Sequence, residues 1–171
     1  AEDGIRDHCV TGVQTCALPI LMGNIFNKDF REFISALNQE EVRYILVGGY
    51  SVILHGYSRT TGDMDLWVER SLENYNRIKR AFSAFGMPVF DMIEENFLSH
   101  PVWDVFTFGL PPVAIDIMIK LEGMDFAEAY SRAVYFMEDD LQIRTIHRND
   151  LIAAKKLAGR AKDQNDLENL E

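Results

Sequence analysis

The stretch that decides the fold is Gly48 to Val68, which reads GGYSVILHGYSRTTGDMDLWV. The apolar run Tyr44 to Val47 just before it predicts a short buried strand, and the paired glycines predict a tight turn at its end. Tyr50 to His55 predicts a short helix stopped by a glycine, and Met64 to Val68 predicts a second strand. The stretch therefore predicts two core strands joined by a short helix and a polar loop.

Outside this stretch, hydrophobic periodicity predicts further helices and strands. The predicted helices are Asn27 to Leu37, Leu72 to Phe85, Phe126 to Phe136, Asp150 to Ala158, and Asp163 to Leu170 with Asp163 as N-cap; the predicted strands are Trp103 to Phe108, Ala114 to Ile119 and Leu141 to Ile146. Helices interleaved with neighbouring strands favour one α+β domain, a mixed sheet partly covered by helices. We assign this domain to residues 22–171.

Asp63 and Asp65 stand at the entrance of the second predicted strand. Residues two apart on a strand point to the same face, so these carboxylates would repel each other unless a cation lies between them. Hard oxygen ligands of this kind suit Mg²⁺ or Mn²⁺. The alternative is a solvated acidic turn.

Asp116 lies between two isoleucines in the predicted strand AIDIMI. A carboxylate in an apolar strand is costly unless it is paired or bound to a metal. One interpretation is a structural ion pair with a lysine or arginine. The other is a third metal ligand beside Asp63 and Asp65.

Several residues are candidates for binding phosphate. Gly48 and Gly49 would let backbone amides approach an anion, with Ser51 adding a hydroxyl. Taken alone, the paired glycines are more simply explained by a tight turn with a helix cap. Arg59 precedes the aspartates in a polar loop and could neutralise phosphate, or it could be a structural arginine. Lys155 belongs to a basic cluster near the C-terminus, which is either a phosphate or acceptor contact or a solvated helix face.

Taken together, the pattern GG-x-S-x-x-x-HG-x-x-R-x-T-x-D-x-DL, followed by Asp116, resembles the DNA polymerase β-type nucleotidyltransferase superfamily. The likeness is greatest to the abortive-infection and type IV toxin nucleotidyltransferases, and Lys155 to Leu170 resembles their closing segment. It extends over roughly residues 42–170. One departure is that Gly49-Tyr50-Ser51 stands where the superfamily has Gly-Ser.

The resemblance implies a polymerase-β-like fold with C-terminal helices and a metal-dependent enzyme. Two Mg²⁺ (or Mn²⁺) ions roughly 4 Å apart would be held by Asp63, Asp65 and Asp116. The enzyme would move a nucleoside monophosphate from an NTP to an acceptor hydroxyl and release pyrophosphate, with Asp116 closest to that hydroxyl. Gly48, Gly49, Ser51, Arg59 and Lys155 would contact the nucleotide.

The acceptor is left open by the sequence. The resemblance allows RNA, with tRNA as in the toxin relatives, a protein side chain, or a small molecule such as an antibiotic. It also allows a cognate antitoxin protein or a homodimer as partner. A different class of function is a catalytically silent nucleotide-binding or interaction module on the same fold.

Residues 1–20 resemble translated sequencing adapter, so we expect a natural start near Met22. This segment holds both cysteines, Cys9 and Cys16, and three acidic residues against one arginine; the chain's charge of −10 therefore leaves −8 for the remainder. Such acidity works against broad binding to a nucleic-acid backbone. Without those cysteines, and without an apolar stretch near the roughly 20 residues that span a bilayer, we expect a cytoplasmic protein with no membrane contact.

Overall fold

The computed structural model describes residues 25–110 and 113–171. The expectation about residues 1–20, with both cysteines, lies outside the described residues. The helices are α1 (Lys28–Gln39), α2 (Gly48–Leu54), α3 (Leu72–Phe85), α4 (Glu94–Ser99), α5 (Phe126–Arg132), α6 (Arg148–Ala158) and α7 (Ala161–Leu170). The strands are β1 (Tyr44–Val47), β2 (Asp63–Val68), β3 (Val105–Leu110), β4 (Val113–Met118), β5 (Val134–Glu138) and β6 (Leu141–Thr145).

The strands form one mixed sheet in the order β3-β4-β2-β1-β6-β5. Strand β1 runs antiparallel to β2 and parallel to β6, and β2 runs parallel to β4. The two edge strands, β3 and β5, are antiparallel to their neighbours. The predicted α+β class with a mixed sheet and C-terminal helices is thus confirmed.

Alternation along the strands divides the core into two layers. Leu46, Met64 and Leu66 point to the face covered by α1, α3 and α4, where a large cluster of buried phenylalanines packs. Val47 and Trp67 point to the opposite face, against apolar side chains of α5, α6 and α7. Asp63 and Asp65 alternate with Met64 and Leu66, so they share this second face, between the sheet and the C-terminal helices.

The helix boundaries follow local capping. Asn27 accepts a hydrogen bond from the Phe30 N–H at the start of α1, and Ser71 caps α3 in the same way. Gly86 ends α3 in the left-handed conformation. The last helix begins earlier than predicted: Arg160 is its N-cap, and Asp163 is its third residue, with its carboxylate accepting from the Arg160 N–H.

The secondary structure differs from the sequence prediction at two further places. The predicted helix Phe126 to Phe136 ends at Arg132, and Val134 to Glu138 instead forms β5, paired residue by residue with β6. A valine and two aromatic residues in succession favour an extended edge strand once β6 is available for pairing. The short helix α4 was not predicted at all, since six residues are too few for a clear periodicity.

Candidate functional site

The three predicted aspartates lie side by side on one face of the sheet. Asp65 on β2 is directly opposite Asp116 on the parallel strand β4, and Asp63 is two residues before Asp65. Asp65 and Asp116 are half-buried, whereas Asp63 is exposed. The register of two adjacent strands, rather than a loop, therefore brings these carboxylates together.

The turn between β1 and α2 lies against this group. Gly48 has a φ of +64°, and a Cβ at this position would overlap the Asp65 carboxylate. A Cβ at Gly49 would overlap the Thr61 side chain. Both positions therefore require glycine for close approach, and Gly48 also requires it for its left-handed backbone.

Ser51 is placed differently from its predicted role. Its Oγ donates to the Gly48 carbonyl oxygen over 2.7 Å, and the residue is fully buried. The hydroxyl thus stabilises the glycine turn from inside the protein, and Ser51 does not line the cavity in front of the aspartates.

Burial and neighbouring charges disturb the ionisation of Asp65. Burial raises the pKa of this carboxyl to about 6, and the Asp116 and Asp63 carboxylates add to the rise. The Gly49 backbone N–H and the Lys162 ammonium lower the pKa again. The ionised form of Asp65 is therefore disfavoured in the folded protein, a feature common at functional sites.

The donor chemistry of the three carboxylates fits a hard divalent cation. In their present positions, Asp65 lies against Gly48, and Asp116 Oδ1 accepts a 2.6 Å hydrogen bond from Thr107 Oγ1 on β3. Among residues 25–110 and 113–171, no three His, Cys, Asp or Glu side chains already form a ligand set for one ion. The carboxylates would therefore have to turn towards a shared ion.

Four cationic residues line a cavity of about 200 Å³ together with the three aspartates, Gly48 and Gly49. We call these four residues the cationic wall: Arg59, Lys155, Arg160 and Lys162. Lys155 is buried, and its Nζ lies 3.1 Å from Asp163 and 2.6 Å from Asp166. Arg59 is also paired with Asp166. Of the predicted nucleotide contacts, all except Ser51 therefore meet at one cavity.

Three residues of the site escaped sequence reasoning. The sequence does not reveal the contact between Thr107 and Asp116, because this contact depends on the register of β3. The alternating pattern of that strand predicts only that Thr107 lies on it. The sequence pattern indicates no role for Asp166 and only a helix cap for Asp163. Their spacing of three residues, which puts both carboxylates on one side of a helix, was the available signal.

The described residues include no helix of the length and apolarity needed to cross a bilayer. Among curated proteins, none matches this chain. Among solved structures, the chain is similar to a Thermotoga maritima protein provisionally designated a nucleotidyltransferase, with a TM-score of 0.52 and 16% identity, over 82% of this chain and 88% of that one. At this identity the likeness shows the fold alone.

The family profile described as "Nucleotidyltransferase of unknown function (DUF6036)" matches residues 27–171, which span β1, β2, β4 and all the cavity residues named above. With that match over most of its length, the chain belongs to this nucleotidyltransferase family.

Proposed function

We propose that this protein is a metal-dependent nucleotidyltransferase that moves a nucleoside monophosphate from an NTP to an acceptor hydroxyl. The observation that carries the proposal is the register of β2 and β4, which sets Asp65 directly opposite Asp116 on the face that also bears Asp63. The cationic wall, which lines the same cavity, would supply the complementary charge for a triphosphate.

In the proposed reaction, the acceptor oxygen bonds to the α-phosphorus while the bond from that phosphorus to the leaving oxygen breaks. Pyrophosphate departs with the electron pair of that bond. Asp116 would accept the hydroxyl proton on Oδ2, since Thr107 already donates to Oδ1. Mg²⁺ or Mn²⁺, when bound by Asp63, Asp65 and Asp116, would neutralise phosphate charge and lower the pKa of the acceptor hydroxyl.

Within this reaction, we propose a small-molecule acceptor over an extended RNA. Three cations of the C-terminal basic cluster are paired with acidic side chains: Lys155 with Asp163 and Asp166, Arg160 with Asp163, and Lys156 with Glu171. The cations that line the cavity are few and gathered in one place, which leaves little positive surface for an extended nucleic-acid backbone in an acidic protein. A tRNA end, as in the toxin relatives that the sequence resembles, is the second candidate, with a cognate antitoxin or a second copy of the chain as its partner.

A transfer assay tests the proposal. The protein is incubated with each α-labelled NTP and Mg²⁺ or Mn²⁺, together with tRNA, aminoglycosides, lincosamides or no added acceptor, and labelled products are separated by chromatography and gel electrophoresis. We expect metal-dependent transfer that is abolished by Asp65→Asn and kept by Asp91→Asn, an exposed aspartate outside the site.

Two results would contradict the proposal. Full transfer by Asp65→Asn would remove the metal assignment. Metal-independent NTP binding without transfer to any acceptor would instead favour the silent nucleotide-binding module.

A further inference from the structure

Two buried carboxylates of α7 are paired with residues of the cationic wall. Asp163 and Asp166 are 0% and 1% exposed, although most aspartates lie at the surface. Their partners come from three separate segments: the loop before β2, α6, and the N-cap of α7. These carboxylates therefore tie parts of the chain that are distant in sequence to the cavity.

Asp166 fixes Arg59. Its Oδ2 accepts from Arg59 Nη1 over 2.5 Å and from Lys155 Nζ over 2.6 Å. Arg59 Nε reaches the Thr60 carbonyl oxygen at 3.4 Å, and Nη2 has no protein acceptor in the described part of the chain. The guanidinium is thus held at the cavity on one side while Nη2 keeps its hydrogens for a ligand.

Asp163 holds Arg160 in a similar way. Its Oδ2 accepts from Arg160 Nε over 2.7 Å, and its Oδ1 accepts from Lys155 Nζ over 3.1 Å. The Arg160 side chain is 60% exposed and lines the cavity. Without Asp163, this long side chain would be free to leave the cavity for solvent.

The balance of charge in this network points to a ligand. Two carboxylates are shared by three cations, Arg59, Lys155 and Arg160, so this network by itself carries one net positive charge. It lies at a cavity that is also lined by the three aspartates of the sheet. Buried ion pairs stabilise a fold no better than well-packed apolar residues, so stability alone gives a weak reason for this network. A preorganised pair of guanidinium groups, in contrast, matches the geometry of phosphate oxygens.

We propose that Asp163 and Asp166 are positioning residues for the triphosphate. They hold Arg160 and Arg59 at the cavity, where the guanidinium groups meet phosphate oxygens, while Lys155 neutralises the two carboxylates and makes no direct contact with the nucleotide. This inference rests on the proposed nucleotidyl transfer and deepens it, because it makes α7 part of the nucleotide site.

Steady-state kinetics with the labelled NTP on the full chain test the inference. Arg59→Ala should raise KM for the NTP by about tenfold or more, the effect of losing one charge-assisted contact, with a smaller change in kcat. Asp166→Asn should raise KM similarly. The double variant should be no worse than the more affected single variant, since the two residues act through each other.

The matched control is Glu168→Gln, an exposed carboxylate on the same helix, which should leave KM unchanged. A merely structural role for Asp166 would lower the folded fraction, and hence apparent kcat, at constant KM, and its effect would add to that of Arg59→Ala. If Asp166→Asn fails to fold, the KM of Arg59→Ala for the NTP decides whether the inference stands. This variant should fold, because the Arg59 side chain is already 21% exposed.

The possible failures are distinguishable. Wild-type protein that neither binds NTP in calorimetry nor transfers label would overturn the proposed function and this inference with it. Wild-type protein that transfers label, combined with an unchanged KM in Arg59→Ala, would overturn this inference alone.

Discussion

Replacing Asp65 by asparagine should make the metal-free protein more stable while abolishing transfer. Burial raises the pKa of this carboxyl from 3.8 to about 6, with Asp116 and Asp63 contributing. Asparagine keeps the size of the side chain and an oxygen that accepts from the Gly49 N–H, but it carries no charge. Removing the buried charge should therefore stabilise the fold at the expense of the site.

The expected gain depends on pH. The pKa of Asp65 in the folded protein lies above its usual value of 3.8, so the folded protein retains a proton that the unfolded chain releases. The wild type therefore loses stability as the pH rises from about 4 to 6. Asparagine avoids this loss. The gain in the free energy of unfolding should be about 1 kcal/mol at pH 4.5 and at most about 3 kcal/mol at pH 7.5.

Urea denaturation of both proteins in EDTA at pH 4.5 and 7.5 measures this difference, with Asp91→Asn as the exposed control. Adding Mg²⁺ at pH 7.5 should stabilise the wild type and leave Asp65→Asn unchanged, because the ion binds only the folded wild-type site. Equal stability of the two proteins at pH 7.5, or a gain that does not vary with pH, would refute the reasoning.

Three further substitutions test the shape of the site. Gly48→Ala should lower the free energy of unfolding by about 2 kcal/mol or more in urea denaturation, because the backbone has a positive φ and the new Cβ would overlap Asp65. The same variant should weaken NTP binding, and unchanged stability would contradict the geometry. Thr107→Val removes the hydroxyl that donates to Asp116 and should weaken Mg²⁺ affinity about tenfold in calorimetry, at nearly constant thermal stability. Unchanged affinity would show that this hydroxyl does not orient the Asp116 carboxylate. Ser51→Ala should cost about 1 kcal/mol of stability, with little effect on KM for the NTP, whereas a selective rise in KM would restore the predicted phosphate contact.

Several candidate residues could be placed on their strands from the sequence alone, because these strands are strongly patterned. Alternation in Met64 to Val68 placed Asp63 and Asp65 on one face, and the apolar neighbours of Asp116 placed it in a core strand. That Asp65 and Asp116 are direct neighbours could not be deduced, because strand order and register depend on pairing across the whole sheet.

Where the sequence prediction failed, tertiary contacts outweighed the local pattern. Val134 to Phe136 continue the apolar spacing of the helix before them, yet β6 pairs with them as a strand. For Lys155, the sequence allowed a phosphate or acceptor contact or a solvated helix face, and it did not indicate burial between Asp163 and Asp166. A charged side chain's partner is a property of the fold, and spacing along one helix does not reveal it.

The two sides of the cavity also depend on each other electrostatically. Lys162 lowers the pKa of Asp65, and the pKa of Arg160 is raised chiefly by Asp163, with Asp65 and Asp166 contributing. The carboxylates of β2 and the cations near α7 therefore stabilise each other's charged forms across the cavity.

This local arrangement explains how an acidic chain could hold a triphosphate, since its cations are gathered around one cavity rather than spread over a surface. Because the three aspartates come from β2 and β4, whereas Lys155, Arg160 and Lys162 come from α6, the N-cap of α7 and α7, the charge pattern is complete only once α7 has docked on the sheet.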